Sequence, residues 1–574
     1  MADMIADGVA KGVTENSSLL MIRQQIDRVL LVTLTVAYLS PVWFLDFFAT
    51  QDGPAHVDSV NVLLRVDDKN AETLRVHYDS SFRAVPNWTA QLLMAGLAFS
   101  AGPVQSEKLF LTLYVLLFVS AVLLLQKAVG ENTGFLCLLG FPLVFPWHLN
   151  KGFYSYSLGV ALCILLLGWW IQFREKLTWR RATLLAGALV LLYFTHAAAL
   201  GATLILLTTT SVFEILIDRS RWKPNSQASR SPHTPPPLKE LGFLAACFAP
   251  ALSILLLFVS NSEASDAGFL QSPLQLWRLK ALMLRYPLVS YSKAESILAP
   301  VFLIFLVILG AVAIYKRFGT RSLHAGDSLL AGALLLSMLC LIVPNSLGGG
   351  KYLFERLLVF PLLLFTGWLS TVDWTRDQQV LIRTAGVSFS VLFLCFLTLA
   401  KINHQSYIRE FLSVGEQLSR DDRFLTLILS PELPPDPQSG FRSRIQPFLH
   451  LAGYLSSETQ AIDLSNYQGW THSFPLLWRP SANPFYPLPI LQEEGAARLL
   501  EYLRLRDLDT LDFLLVWSIT SGGEGEDLWK SVEGVLDARF TRVMASEPNG
   551  WARLYQRIPV EFDHLIGSKD PHSK

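Results

Sequence analysis

Long apolar runs constrain this chain more than any other feature. About eleven of them fall in the first 402 residues, near 29–48, 106–127, 133–147, 153–173, 182–196, 198–217, 241–260, 297–316, 328–344, 352–371 and 384–402. A helix that crosses a bilayer needs about 20 mostly apolar residues. The whole chain is 51% apolar and 16% charged, where soluble domains carry about 25% charge. So much apolar surface cannot all be buried in one water-soluble core, and a bilayer must serve as second solvent. Net charge is +0, which gives no reason to expect nucleic acid. The five cysteines lie inside apolar runs and read as packing residues, not as a disulfide or metal framework.

Lys and Arg in short loops set the orientation. The runs 174-REKLTWRR-181, 219-RSRWK-223 and 316-KRFGTR-321, with Arg23 and Arg28, place residues 1–28 in the cytoplasm. No small-residue cleavage site follows the first run, so residues 29–48 are expected to stay as an uncleaved anchor. Alternation then puts 49–105, 148–152, the turn at His196, 261–296, 345–351 and everything after 403 on the external side. The apolar stretch 88-WTAQLLMAGLAFSAG-102 is short for a crossing, and counting it as one would move the basic loops outside. It is expected to be a helix on the outer surface. Residues 224–237 are a Pro- and Ser-rich cytoplasmic linker.

After 403 the pattern changes. Strand-length runs occur at 424-FLTLIL-429, 512-DFLLVW-517, 540-FTRVMA-545 and 551-WARLYQ-556, with helical patterns near 443–455, 495–505 and 526–536. The fold class is therefore a polytopic α-helical membrane protein with about eleven spans in 29–402. Surface helices occupy its first external loop, and 403–574 form a small external α/β domain.

None of the candidate spans carries Asp, Glu, Lys or Arg near its centre, which argues against an ion-coupled transporter. The polar residues gather instead at the external ends of the spans. Asp46, Asp52 and His56 follow the first; His148, Asn150, Lys151 and Tyr154 lie between the third and fourth. His196 is at the turn after the fifth, Arg285 and Lys293 lie in 261–296, and Lys351, Tyr352, Glu355 and Arg356 open the tenth. Taken singly, each has an ordinary reading, as an interfacial anchor or a packed histidine. Together they place acids, imidazoles and cations at one depth. A lipid-anchored anion could leave its tail in the bilayer there and present its head group to the cations.

The segments 52-DGPAHV-57, 152-GFYSYSLG-159, 195-THA-197 and 355-ERLLVF-360, set in this architecture, resemble the C superfamily of membrane glycosyltransferases (GT-C). They are similar to its bacterial multi-spanning members. The resemblance implies a sugar donor carried on a polyprenyl phosphate, used on the external face of the bacterial cytoplasmic membrane. Asp52 matches the position of the catalytic acid, and Lys351 with Arg356 matches cations that hold the lipid phosphate. Some members carry two adjacent acids in this loop. Here glycine follows Asp52 and the next acid is Asp58, so a shared metal site is in doubt and a divalent cation, Mg or Mn, stays an open cofactor.

Transfer from a lipid phosphate to a hydroxyl has a good leaving group. It needs a base for the acceptor proton, worth about 10²–10⁴-fold, and cations at the departing phosphate. Asp52 is the expected base. His56, Lys151, Tyr154, His196, Lys351, Tyr352, Glu355 and Arg356 are the expected substrate-binding residues, with no metal ligands among them. Gly53-Pro54 would fix the turn that aims Asp52. The partners implied are the lipid-linked donor, a glycan, lipid or protein acceptor, and membrane lipids. Two other readings stand beside this one: a polysaccharide polymerase, ligase or lipid-linked glycan flippase, and a non-catalytic membrane scaffold or sensor.

Overall fold

The computed structural model describes the chain apart from residues 1, 81–82, 131–133, 175, 222–236, 262–282, 319–323, 344–350, 436–439, 472–473, 485–510, 520–532, 534–535, 537–538 and 559–574. The chain is an integral membrane protein. Seven of its described helices are long and apolar enough to cross a membrane, among them Pro103–Val129, Tyr154–Phe173 and Lys293–Arg317. The other expected spans coincide with shorter helices. Trp179–Thr195 and Asp327–Ile342 are 17 and 16 residues long. Leu353–Leu357 and Val359–Leu369 share the 352–371 run. The run at 133–147 holds one helical turn, Gly134–Cys137, continued by the tight helix Leu138–Leu143.

The stretch read as a surface helix is Trp88–Ala101. Gly102, at φ +81, breaks it from Pro103–Val129. It buries Ala90, Gln91, Met94 and Ala98 and exposes Leu92 and Phe99. The Arg376–Ser413 helix is 38 residues long, about 57 Å at 1.5 Å per residue. That exceeds the ~30 Å bilayer core, so the domain boundary expected at 402/403 falls inside one continuous helix. Thr375 caps its start, accepting from the Gln378 N–H while the Gln378 side chain accepts from the Thr375 N–H, a capping box.

All four expected strands form. The soluble part carries a five-stranded mixed sheet in the order β3-β2-β5-β7-β6. Its strands are β2 (Arg423–Ile428), β3 (Ile462–Asp463), β5 (Phe513–Trp517), β6 (Phe540–Ala545) and β7 (Ala552–Arg557). Both faces of β5 are buried, and this is why it reads as an unbroken apolar run. Phe513, Leu515 and Trp517 join the core that continues into the membrane helices. Leu514 and Val516 join a second core with Val62, Val66, Leu74 and Tyr78. The helical pattern near 495–505, and that near 526–536 apart from Glu533 and Leu536, lie outside the described residues, and that near 443–455 yields Ala452–Thr459.

A two-stranded sheet ties the 49–105 segment to the soluble domain. In it β1 (Tyr78–Ser80) runs antiparallel to β4 (Leu476–Trp478), with Tyr78 opposite Trp478. Their rings stack at 4.0 Å. All five cysteines are free.

Candidate active site

The turn after the first helix is shaped by two backbone pairings and two glycines. Gln51 N–H donates to Asn150 O at 3.0 Å and Asp52 N–H to Lys151 O at 3.2 Å. Gly152 sits at φ +88, and a Cβ there would lie 2.6 Å from Asp52 N. Both its conformation and the space demand glycine. A Cβ on Gly53 would lie 2.3 Å from Glu107 Oε1. Asp52 is the N-terminal flank of Gly53–Arg65, with Pro54 in the first turn, where a missing N–H costs nothing. The Gly53-Pro54 pair thus starts the helix directly after Asp52.

Asp52 is 7% exposed. Burial raises its carboxyl to about 6, against the opposing pull of Lys151, Tyr467, Gln51 and Arg356. His450 Nε2 lies 3.6 Å from Oδ1. Burial holds that imidazole down to about 3, so the contact is with a neutral ring and is not an ion pair. The Lys151 ammonium donates to Gln51 Oε1 at 2.8 Å and lies 5.5 Å over the Tyr352 ring. Tyr352 is left-handed at φ 63, an uncommon state for a bulky residue.

Arg356 completes the group. Its Nη1 lies 2.8 Å from His196 Nε2. The guanidinium covers Phe153 at 4.2 Å and Tyr156 at 5.6 Å, and the Tyr156 hydroxyl donates to the Arg356 carbonyl. Asp52 and Glu355 both act on it electrostatically, yet among the described residues it forms no salt bridge. A cation resting on aromatic faces and a neutral imidazole keeps its charge available to an anion.

The other expected residues divide. His56 stacks on Tyr154 at 5.0 Å. Its Nε2–H donates to Gly152 O at 3.1 Å, which leaves Nδ1 to accept from Gln468 at 3.3 Å. Burial lowers it to about 4. With both nitrogens engaged, it braces the turn. Tyr154 donates to Glu107 and contacts Thr50 Oγ1 at 2.9 Å; it too is a brace, fully buried. Glu355 is buried beside Arg356. Lys351 is exposed, and the lysine that acts on Asp52, alongside Arg356, is Lys151.

Sequence reading missed several residues. Tyr467, His450 and Gln468 come from the soluble domain, about 400 residues from Asp52. Glu107 accepts from Tyr154 and Tyr454. Lys401 donates to Ala49 O at 2.8 Å and Tyr291 Oη at 2.9 Å. These last two stand at the ends of apolar runs, where a charge reads as an anchor.

Among the described residues, no three His, Cys, Asp or Glu side chains group as a metal site. The Asp52 carboxylate faces two cations, and both carboxylate oxygens of Asp58 are taken by Ser456 and Asn466. Mg and Mn seek several oxygen ligands of net negative charge, and this surrounding does not fit them.

No family model and no curated protein matches the chain. Solved structures do. The chain is similar to ArnT from Cupriavidus metallidurans in the apo state, with 8% identity, 93% of this chain and 98% of that one covered, and a TM-score of 0.49. The same protein bound to undecaprenyl phosphate gives 8% identity, the same coverage and 0.47. A mycobacterial arabinofuranosyltransferase, AftD, gives 15% identity and 0.44, covering 93% of this chain and 41% of that one.

Proposed function

We propose that this chain transfers a sugar from a polyprenyl-phosphate-linked donor to an acceptor hydroxyl on the external face of the bacterial cytoplasmic membrane. The basic loops support that orientation, with residues 1–28 cytoplasmic and the soluble domain outside. One observation carries the reading: a buried carboxylate, Asp52, and an unneutralised guanidinium, Arg356, belong to one polar group where the 49–52 turn leaves the first helix.

Asp52 takes the proton of the acceptor hydroxyl as its oxygen attacks the anomeric carbon. The bond from that carbon to the phosphate oxygen breaks, and its electrons stay on the phosphate. Arg356 and Lys151 stabilise the charge that develops there, a term often larger than proton transfer. A base held at about 6 is ionised at neutral pH without being too weak to accept a proton. The acceptor is a glycan, a lipid or a protein. A transporter would need ionisable groups along a path through the bundle, whereas Lys151 and Arg356 both act on Asp52 beside the 49–52 turn.

The test uses the full chain in phosphatidylethanolamine–phosphatidylglycerol vesicles with sugar-labelled polyprenyl phosphates and an envelope extract as acceptor source. Label should leave the lipid with the wild-type chain and stay on it with Asp52→Asn. Equal transfer by both would overturn the proposal.

A further inference from the structure

Two N–H groups converge on one imidazole. The Ala198 backbone N–H points at His196 Nδ1 from 3.1 Å, and Arg356 Nη1 lies 2.8 Å from Nε2. A peptide N–H and a guanidinium can only donate. A neutral imidazole has one acceptor nitrogen, and a protonated one has none. His196 is 8% exposed and sits against the Arg356 cation, so a second positive charge is disfavoured there. One of the two donors must therefore face another N–H.

The Ala198 donor is fixed in the backbone, whereas the Arg356 donor ends a long side chain. Ala198 lies in the first turn of Ala197–Arg221, where backbone N–H groups lack helical partners, and His196 Nδ1 caps it in the manner of an N-cap oxygen. With Nδ1 accepting, the proton belongs on Nε2, directed at the guanidinium. Arg356 is the movable partner. It forms no salt bridge among the described residues, and its buried Nε has no hydrogen-bond partner.

We infer that His196 is a second hydrogen-bond donor to the lipid-linked phosphate, released for that role when the anion draws the Arg356 guanidinium off Nε2. The inference rests on the reading of Arg356 as the phosphate-binding cation. Free of the clash, His196 keeps Nδ1 on Ala198 and turns Nε2–H to an oxygen of the anion that Arg356 holds. With the guanidinium on the anion the conflict at His196 disappears, so the site favours an anion over a neutral head group.

The test is binding of undecaprenyl phosphate to the full chain in detergent micelles. His196→Asn keeps an acceptor for Ala198 but removes the donor at the Nε2 position, and it should weaken binding about 10-fold. In His196→Gln an amide N–H can reach the Nε2 position, and binding should stay within about 3-fold of wild type. Undecaprenol, which lacks the phosphate, should bind wild type and His196→Asn alike. Inorganic phosphate should compete only at far higher concentration.

If Arg356→Ala binds the lipid phosphate as wild type does, the Arg356 reading falls and the inference with it. If Arg356→Ala loses binding while His196→Asn keeps it, the inference alone falls. An equal loss for undecaprenol would make His196 a packing residue and also overturn the inference. Competition by inorganic phosphate at the concentration of the lipid would overturn the lipid source.

Discussion

Asp52 and Asp58 lie six residues apart, both buried, and they meet opposite surroundings. Asp58 is saturated: Ser456 Oγ donates to one oxygen at 2.5 Å and Asn466 Nδ2 to the other at 2.6 Å. Burial and the neighbouring Asp463 push its carboxyl up. Asp52 faces the Lys151 and Arg356 cations, a neutral imidazole at 3.6 Å and the Tyr467 hydroxyl. Glu107, held by two tyrosines, belongs with Asp58. The difference teaches that burial alone does not mark a reacting acid. A carboxyl group held on both oxygens by side-chain donors is a structural tie, here between the 53–65 helix and the soluble domain. One set between two cations and a neutral imidazole, as Asp52 is, can change protonation during a reaction.

The sharpest way to break this comparison is Asp52→Asn. Turnover should fall about 10²–10⁴-fold, with donor binding nearly intact, because the interaction with the acceptor proton develops in the transition state. A steady-state transfer assay paired with a donor-binding isotherm checks it. Arg356→Ala should come next, weakening donor binding about 10–100-fold, since a charge-assisted contact to phosphate exists in the ground state. Arg356→Lys should restore only part of the loss, because lysine lacks the planar fork.

A third test uses pH. Burial has raised Asp52 to about 6, so the base form is lost as pH falls through that value and kcat/KM should decline on the acid side. Lys151 and Tyr467 hold that value down against burial. Lys151→Met and Tyr467→Phe should therefore each move the acid limb to higher pH, and a limb that stays in place would separate it from Asp52. Asp58→Asn should have the smallest effect on activity, within a few-fold. It should instead cost about 1–3 kcal/mol of stability by unsettling a buried hydrogen-bonded pair, visible as a lower thermal midpoint.

Much of the architecture was legible. Strand-length apolar runs at 424–429 and 512–517 sit where β2 and β5 form, because buried strands need apolar residues on both faces. That Arg356 and His196 meet, 160 residues apart, fits their positions at the ends of apolar runs. What the soluble domain adds was not legible. Tyr467, His450 and Gln468 sit in no motif, and their distance to Asp52 is set by docking about 400 residues away in sequence. The β1–β4 pairing is hidden for the same reason, since three-residue strands carry almost no periodicity. Of the two lysines expected at the site, Lys351, which follows from the resemblance, is exposed, and Lys151 acts on Asp52 because the Gly152 turn brings the two segments together. The boundary at 402/403 followed the rise in polarity, but a helix can leave the bilayer without a break, and this one continues to Ser413.

The central claim is that Asp52 reacts and Asp58 only holds. Single turnover of a preloaded, sugar-labelled polyprenyl phosphate measures it most directly, run side by side for Asp52→Asn and Asp58→Asn on chains matched for folding and donor occupancy. The account predicts that Asp52→Asn releases sugar at least about 100-fold more slowly than wild type while Asp58→Asn stays within a few-fold. Wild-type release by Asp52→Asn, or an equal loss in both variants, would contradict it.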